Sequence, residues 1–385
     1  MREPISVIGA GPAGLTAAIV LARHGYRVRV YEKEPDVGHR LHGDFQGLEN
    51  WSSEQDVVAL LKDCGIETNF LCVPYSGGTV YAPALPPLQV QSSRPIFYLV
   101  QRGALRGTLD VGLKEQALST GVEILFNNRP DRFSGHTIFA TGPRGVHVLA
   151  VGITFLTAKE NSAVALFDDH LAPKGYAYLL VHEGRGTLAT VLFRDYAKGD
   201  ECLERVTKFL EGIAGIDIRD PKRFCSFGNF FLSPTRKHHH VLYAGESAGF
   251  QDFLWGFGMR YAIRSGYLAA KSFIENTDYD ALWKGELKQL LETALVNRYL
   301  FERIGHTGYR FLARKFARGN PCGFLRRQYG YSFAKQLLLP IARMRFKENI
   351  ASPDLLHRNC LCEQCRGIGG DRVPVQGNRI KMPGQ

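Results

Sequence analysis

No stretch of this 385-residue chain approaches 18 consecutive uncharged apolar residues, so no membrane-spanning helix is expected. A secretory leader is not expected either, because Met1–Pro4 runs into the apolar ISVIGAG without a cleavage site. Cysteine is sparse and irregular. Its eight residues form no repeating framework, which argues against a disulfide-stapled secreted domain and for mostly reduced thiols. A cytoplasmic placement is therefore expected, with peripheral attachment to the inner face of the membrane as its extension. No nucleic-acid-binding motif is present, so no nucleic-acid partner is expected. What the chain does have is ordinary for a globular protein: 45% hydrophobic and 22% charged residues, and enough length for two or three structural units.

The formal charge of +11 is concentrated in one segment. Between Arg298 and Arg358 there are 13 Lys/Arg against three acids. This segment mixes cations with Phe, Tyr and Leu at roughly helical spacing. Tyr309, Leu312, Ala313 and Phe316 can share one face, and Pro321 and Pro340 are expected to divide the segment into short helices. Such a surface suits anionic lipid headgroups or an acidic protein.

The opening ISVIGAGPAGLTAAIVLARHGYRVRVYEKE reads as strand, glycine turn, helix and strand. Ile5, Val7 and Ile8 suit a parallel strand buried on both faces. Gly9, Gly11 and Gly14 then form G-x-G-x-x-G at the strand-to-helix turn. Their roles are a tight turn, approach of a pyrophosphate to the backbone, and close packing of helix on strand. The helix N-terminus offers free N–H groups to phosphate oxygens. Glu32 lies 18 residues past Gly14, where an acid can bind an adenosine ribose and disfavour a 2′-phosphate. FAD or NAD is thus favoured over NADP.

A second glycine run, YAGESAGFQDFLWGFGMRYAIRSGYLAA (243–270), decides between the two. It reads as a strand ending near Ala244, a turn, and a helix opening at Gly256–Gly258, with Ala262, Gly266 and Ala269 allowing close approach. An NAD-only dehydrogenase has no use for this element. A flavoprotein can bind the ribityl chain with its acid and set a helix dipole against the flavin.

Together the two stretches resemble FAD enzymes of the p-hydroxybenzoate hydroxylase-like superfamily, and most closely the geranylgeranyl reductase family. That family shows G-D-A-A-G followed by G-x-G-x-x-x-A; here the matching residues are Gly245, Glu246, Ser247, Ala248 and Gly249, then Gly256, Gly258 and Ala262. Glu246 stands where the family has Asp. The resemblance also covers YLVQRGALRG, which carries Arg102; Arg40 after EKEPDVGH; and the strand end Ala140, Thr141 and Gly142. It implies cofactor contacts from these residues and from Gly9, Gly11, Pro12, Ala13, Gly14, Glu32, Lys33, Gly245, Glu246, Gly256, Gly258 and Met259.

PKGYAYLLVHEG (173–184) resembles the family's substrate pattern Y-x-W-x-F-P-x-x-G. Tyr176 and Gly184 match, while Tyr178, Leu180 and Val181 replace Trp, Phe and Pro. Tyr176, Tyr178 and Leu180 are then expected in an apolar substrate pocket, unless the strand is only an amphipathic core element. No catalytic residue announces itself, although Tyr178 and His182 are on that strand. The D-G motif of aromatic hydroxylases is replaced by Ala140-Thr141-Gly142, and a second nicotinamide fingerprint is missing. Electrons would come from a protein donor or a transiently bound NAD(P)H.

HRNCLCEQCRG crowds His357, Cys360, Cys362 and Cys365 into nine residues. Zinc would accept this set. An iron–sulfur cluster with Cys322 as fourth ligand, a redox pair and a free tail are the alternatives.

The expected fold is α/β, with three parts: a Rossmann-like FAD-binding domain from 1–155 and 240–275, an antiparallel β-sheet substrate domain at 156–239, and a basic helical C-terminal region at 276–385. The resemblance implies an FAD-dependent oxidoreductase that reduces carbon–carbon double bonds of a polyprenyl lipid or similar hydrophobic substrate. The alternatives are a flavin monooxygenase or halogenase, and a flavoprotein electron carrier that docks by its basic segment.

Overall fold

The computed structural model describes residues 4–130, 135–143, 145–233, 235–238 and 240–347. His357, Cys360, Cys362 and Cys365 lie outside the described residues.

Ile5–Ile8, the apolar run before the first glycine, is fully buried and becomes an inner strand of a six-stranded sheet. In spatial order the sheet runs Lys237–His238, Val241–Tyr243, Thr137–Phe139, Ile5–Ile8, Val28–Tyr31 and Glu123–Leu125. All neighbouring pairs are parallel except the first. Helices Pro12–Arg23 and Leu109–Ser119 cover the sheet, and Met259–Ile274 packs on the first of them.

A second, seven-stranded sheet is antiparallel except where Gly77–Tyr81 pairs in parallel with Ser162–Leu166. Its order is Arg219–Gly228, Val148–Leu156, Arg185–Leu192, Tyr176–His182, Ser162–Leu166, Gly77–Tyr81 and Leu88–Gln91. Helix Gly199–Ala214 closes one face, inserting Leu203, Val206 and Leu210 at helical spacing against Leu149, Val151, Leu179 and Val181. The segment 156–239 therefore does not make this sheet alone. The two strands at one end of the sheet, Gly77–Tyr81 and Leu88–Gln91, come from before residue 100, and Val148–Leu156 begins ahead of residue 156. A third sheet, His42–Glu49, Phe97–Gly103 and Cys72–Tyr75, bridges the two larger ones.

Helices Tyr279–Glu286, Lys288–Phe301, His306–Ala317, Pro321–Tyr329 and Phe333–Lys347 follow. Pro321 starts its helix, where a missing N–H costs nothing. Pro340 lies inside Phe333–Lys347 instead of ending it. That helix packs along Lys288–Phe301, so tertiary contacts offset the lost hydrogen bond. The first cation of the basic segment is also not at the surface. Arg298 is fully buried, its Nη1 donating to Leu254 O (3.0 Å) and its Nη2 to Lys174 O (2.5 Å), with its plane over Phe193. Among the described residues, no helix is long and apolar enough to cross a membrane.

Candidate active site

The first fingerprint divides its work among three glycines. Gly9 has φ 103°, and a Cβ there would stand 2.6 Å from Ala140 O. A Cβ on Gly14 would lie 2.0 Å from Gly9 O. At Gly11 a Cβ would meet nothing within 4 Å, so this glycine looks into open space at the uncapped N-terminus of Pro12–Arg23. Beside it, Glu32 accepts from Ala10 N (2.7 Å) and Glu34 N (3.0 Å), which fixes its carboxylate at the end of the second strand. Lys33 points outward and pairs with Glu34 (3.0 Å). Ala140, Thr141 and Gly142 pass directly over the turn. Thr141 Oγ1 is buried and has no hydrogen-bond partner among the described residues.

The second glycine run meets the first at Ala13. A Cβ on Gly245 (φ 63°) would come within 2.9 Å of Ala13 Cβ, and one on Gly266 within 2.1 Å of Ala13 O. Only glycines let helix Met259–Ile274 and the turn Gly245–Ala248 close on the dinucleotide helix. Gly245 N also donates to Ser265 Oγ (2.9 Å), and Ser247 Oγ to Phe139 O (2.9 Å). Glu246 is thereby held next to Arg40, whose Nη2 lies 3.2 Å from its Oε2. Burial pushes the Glu246 carboxyl above its ordinary range, with Arg40 and Arg102 opposing. Arg102 itself is buried in a bidentate pair with Asp110 (Nε 2.9 Å, Nη2 2.8 Å), and its Nη1 approaches Gln46 (3.5 Å). Its guanidinium is thus committed mainly to Asp110, although it still lines the cavity. Gly256 has φ 82°, and Gly258 caps Met259–Ile274 without a side-chain acceptor. Between them Gln251 Nε2 donates to Gly256 O (2.8 Å), leaving its buried Oε1 unpaired among the described residues.

A cavity of about 560 Å³ opens from this junction. Pro12, Arg40, Arg102, Glu246 and Gly256–Met259 form one end. The middle is the sheet face carrying Tyr176, Tyr178 and Leu180, and the far end is Phe301, Leu312, Phe316, Phe324 and Leu325. Strand alternation explains the middle: residues two apart share a face, while Ala177, Leu179 and Val181 turn into the core on the other side. Tyr176 Oη donates to Trp255 O (3.0 Å), and its ring lies parallel to Phe257 with centroids 6.4 Å apart. Tyr178 Oη has no hydrogen bond among the described residues, and burial raises its hydroxyl well above the ordinary phenol value. Leu180 is mostly core, packed on Phe45 and Leu99. His182 lies beyond the cavity, edge-on to Phe45.

Tyr309, Leu312, Ala313 and Phe316 do share one helix face, but that face lines the cavity and not the surface. Trp255, Phe257, Gln251 and the strand Gly77–Tyr81 are lining elements that sequence reasoning did not single out. Trp255 and Phe257 lie inside the second glycine run, where their aromatic character was the available signal.

A family model described as an NAD(P)-binding Rossmann-like domain matches residues 7–45. Over the fingerprint the chain is 51% identical across 43 residues to the NAD-dependent dihydropyrimidine dehydrogenase subunit PreT homolog of Salmonella typhi, and it spans only 10% of that protein's length. Over a longer range it is 22% identical across 351 residues to digeranylgeranylglycerophospholipid reductase of Thermoplasma acidophilum, covering 77% of this chain and 85% of that one. Among solved structures it is similar to a geranylgeranyl bacteriochlorophyll reductase-like protein of Thermoplasma acidophilum, with TM-score 0.65, 15% identity, and coverage of 90% and 98% of the two chains. The flavin-dependent brominase Bmp2 is also similar, with TM-score 0.60, 15% identity, and coverage of 90% and 99%. The chain has the fold of geranylgeranyl reductase-like and halogenating flavoproteins, and the resemblance read from its glycine runs holds at that level.

Proposed function

We propose that this protein is an FAD-dependent oxidoreductase that reduces carbon–carbon double bonds of a long isoprenoid lipid. The observation that carries this reading is the cavity, which begins at the meeting point of the two glycine runs and continues between apolar walls to the C-terminal helices.

The residues fit FAD. Gly11 offers an open approach to an uncapped helix N-terminus, Glu32 is poised at the strand end, and Thr141 Oγ1 and Gln251 Oε1 are buried polar atoms with no protein partner among the described residues. Gly9–Gly14 and Glu32 would hold the pyrophosphate and adenosine, and Arg40, Glu246, Gly256, Gly258 and Met259 the ribityl and flavin end. When bound and reduced, this cofactor would supply hydride equivalents for one alkene carbon. The chain's own contribution is to exclude water with Trp255, Phe257 and Phe301, and to place Tyr178 Oη, which no described residue engages, where it can give a proton to the other carbon. An isolated alkene carries no activating group, so positioning is the main resource.

The C-terminal helices would rest on an anionic membrane surface. Phe333, Leu337, Ile341 and Met344 form an exposed stripe at helical spacing on Phe333–Lys347, Tyr331 is exposed just before it, and helix His306–Ala317 exposes Phe311 together with the cations Arg314 and Lys315. A lipid tail could then pass from the bilayer into the cavity between these helices.

The deciding experiment is anaerobic. The enzyme is reduced, geranylgeranylated lipid is added, and the oxidised flavin absorption is followed. Its return together with saturated product is the expected result. A band that stays bleached with lipid but returns quickly with oxygen would favour a monooxygenase or halogenase, a reading supported by the fold shared with Bmp2.

A further inference from the structure

Away from the cofactor end of the cavity, three metal-ligating side chains from two parts of the chain converge. Asp168 and His170 belong to the turn after strand Ser162–Leu166, and His306 is the first residue of helix His306–Ala317. Each offers one ligand atom, and the three atoms all lie within 4.8 Å of one another. His306 Nε2 is 3.6 Å from Asp168 Oδ1, and the two imidazole rings are 5.7 Å apart.

We propose that Asp168, His170 and His306 bind a divalent transition-metal ion of the zinc type, which fastens the large sheet to the C-terminal helices at the outer wall of the cavity.

The donor set selects the ion. Two imidazoles and one carboxylate suit zinc and its neighbours, whereas magnesium and calcium favour sites built from oxygen. Donors around a tetrahedral zinc with bonds of about 2.1 Å stand about 3.4 Å apart. The 3.6 Å pair already meets that spacing, and rotation of exposed His170 can close the rest.

The ligands are also held in advance. Asp168 Oδ1 accepts from His170 N (2.8 Å), and Asp168 O accepts from Leu171 N (3.0 Å) and Ala172 N (2.8 Å), so the turn fixes two ligands relative to each other. Two independent links bring in the third. Tyr309 Oη donates to Asp169 Oδ1 (2.7 Å), and Lys174 Nζ donates to Ile304 O (3.2 Å). The nearby cations are already engaged: Lys174 pairs with Asp169 (2.7 Å), Arg205 pairs with Glu201 while its Nη1 donates to His170 O (3.2 Å), and among the described residues no Lys or Arg forms a salt bridge with Asp168. Because the Asp168 and His306 side chains are 26% and 42% exposed, water can complete the coordination.

The position gives the ion a structural consequence. Phe167, next to Asp168, packs against Trp255 (5.6 Å), Trp255 against Phe301 (4.9 Å), and Phe301 against Tyr309 (5.2 Å). A metal bridging residues 168 and 306 would tie both ends of this aromatic chain together.

The test uses the full-length chain with Cys360→Ser, Cys362→Ser and Cys365→Ser, so that tail thiols cannot contribute. Zinc titration of the metal-free protein should saturate at one equivalent and raise the melting temperature. Cobalt should give visible bands of a nitrogen- and oxygen-ligated ion with no thiolate charge-transfer absorption. His306→Ala and His170→Ala should each weaken binding by more than the roughly 10–100-fold that loss of an outer-shell partner costs, while the metal-free melting temperature stays unchanged. His170 is exposed, so its removal does not threaten the fold. No saturable zinc binding, or binding that survives both substitutions, would overturn the proposal. These readouts do not depend on flavin or substrate, so their outcome is separate from that of the proposed reductase activity.

Discussion

Gly11 and Gly14 are three residues apart and meet opposite demands. A methyl group on Gly14 would collide with the Gly9 carbonyl, whereas one on Gly11 would meet nothing within 4 Å, in the space proposed above for a phosphate. Gly14→Ala is therefore expected to destabilise the fold by about 1–3 kcal/mol or more. Gly11→Ala should leave the melting temperature of the cofactor-free protein unchanged yet purify with little flavin. Thermal melts beside flavin absorbance separate the two cases. Tyr178→Phe removes one hydroxyl and no carbon. It should keep the flavin complement while turnover falls on the order of a hundredfold; an unchanged rate would remove Tyr178 from the proton path. At this scale much was legible, because glycines at fixed offsets and an acid after a strand follow from local geometry. Arg102 was less so. Its expected part in cofactor binding could be read from a motif, but its bidentate partner Asp110 appears only once strand Phe97–Gly103 and the helix after it are folded.

The C-terminal helices carry apolar residues on more than one side. On His306–Ala317, Leu312 and Phe316 face the cavity while Phe311 is 59% exposed. Helical spacing revealed the first face, but not which side would be covered, since its cover is a sheet formed more than a hundred residues earlier in the chain. The exposed face of Phe333–Lys347 is the better candidate for lipid contact. Replacing Leu337 and Met344 together by Glu should abolish cosedimentation with vesicles containing anionic lipid and leave flavin content intact. Wild-type binding should weaken as salt rises. Equal binding by the double variant would put lipid contact elsewhere.

Across the whole molecule, two buried groups set opposing pH dependences. His147, desolvated and stacked on Phe230, is held down to about 4 from an ordinary 6.5. As pH falls from 6.5 towards 4 the unfolded chain takes up a proton that the folded protein refuses, so this group removes up to about 3 kcal/mol of stability on acidification. Asp252 is buried beneath Tyr329, and desolvation raises it to about 7 despite hydrogen bonds from Trp255 N, Leu254 N and Tyr329 Oη. It stabilises the fold at low pH and loses that contribution as pH rises through 7. Asp252→Asn should therefore unmask acid lability, with the melting temperature dropping more steeply between pH 6.5 and 4. His147→Gln should do the reverse, and parallel melting profiles for both variants would contradict the assignment.

The cavity belongs to this scale too. Its aromatic wall joins Phe167, Trp255, Phe301 and Tyr309, and nothing local in the sequence links residues so far apart. Ala313 faces it from the C-terminal side. Ala313→Trp should shift preference towards shorter isoprenoids, read as the ratio of kcat/KM for long and short substrates.

The contact of Gly245 and Gly266 with Ala13 also bears on how the protein is made. In a nascent chain the glycine turn Gly9–Gly14 emerges some 250 residues before helix Met259–Ile274, which closes on that turn. Until then the dinucleotide helix lacks the neighbour against which it is packed in the finished protein. Cofactor loading should accordingly be a late event in biosynthesis, coupled to the joining of two distant segments and not to completion of the N-terminal strands.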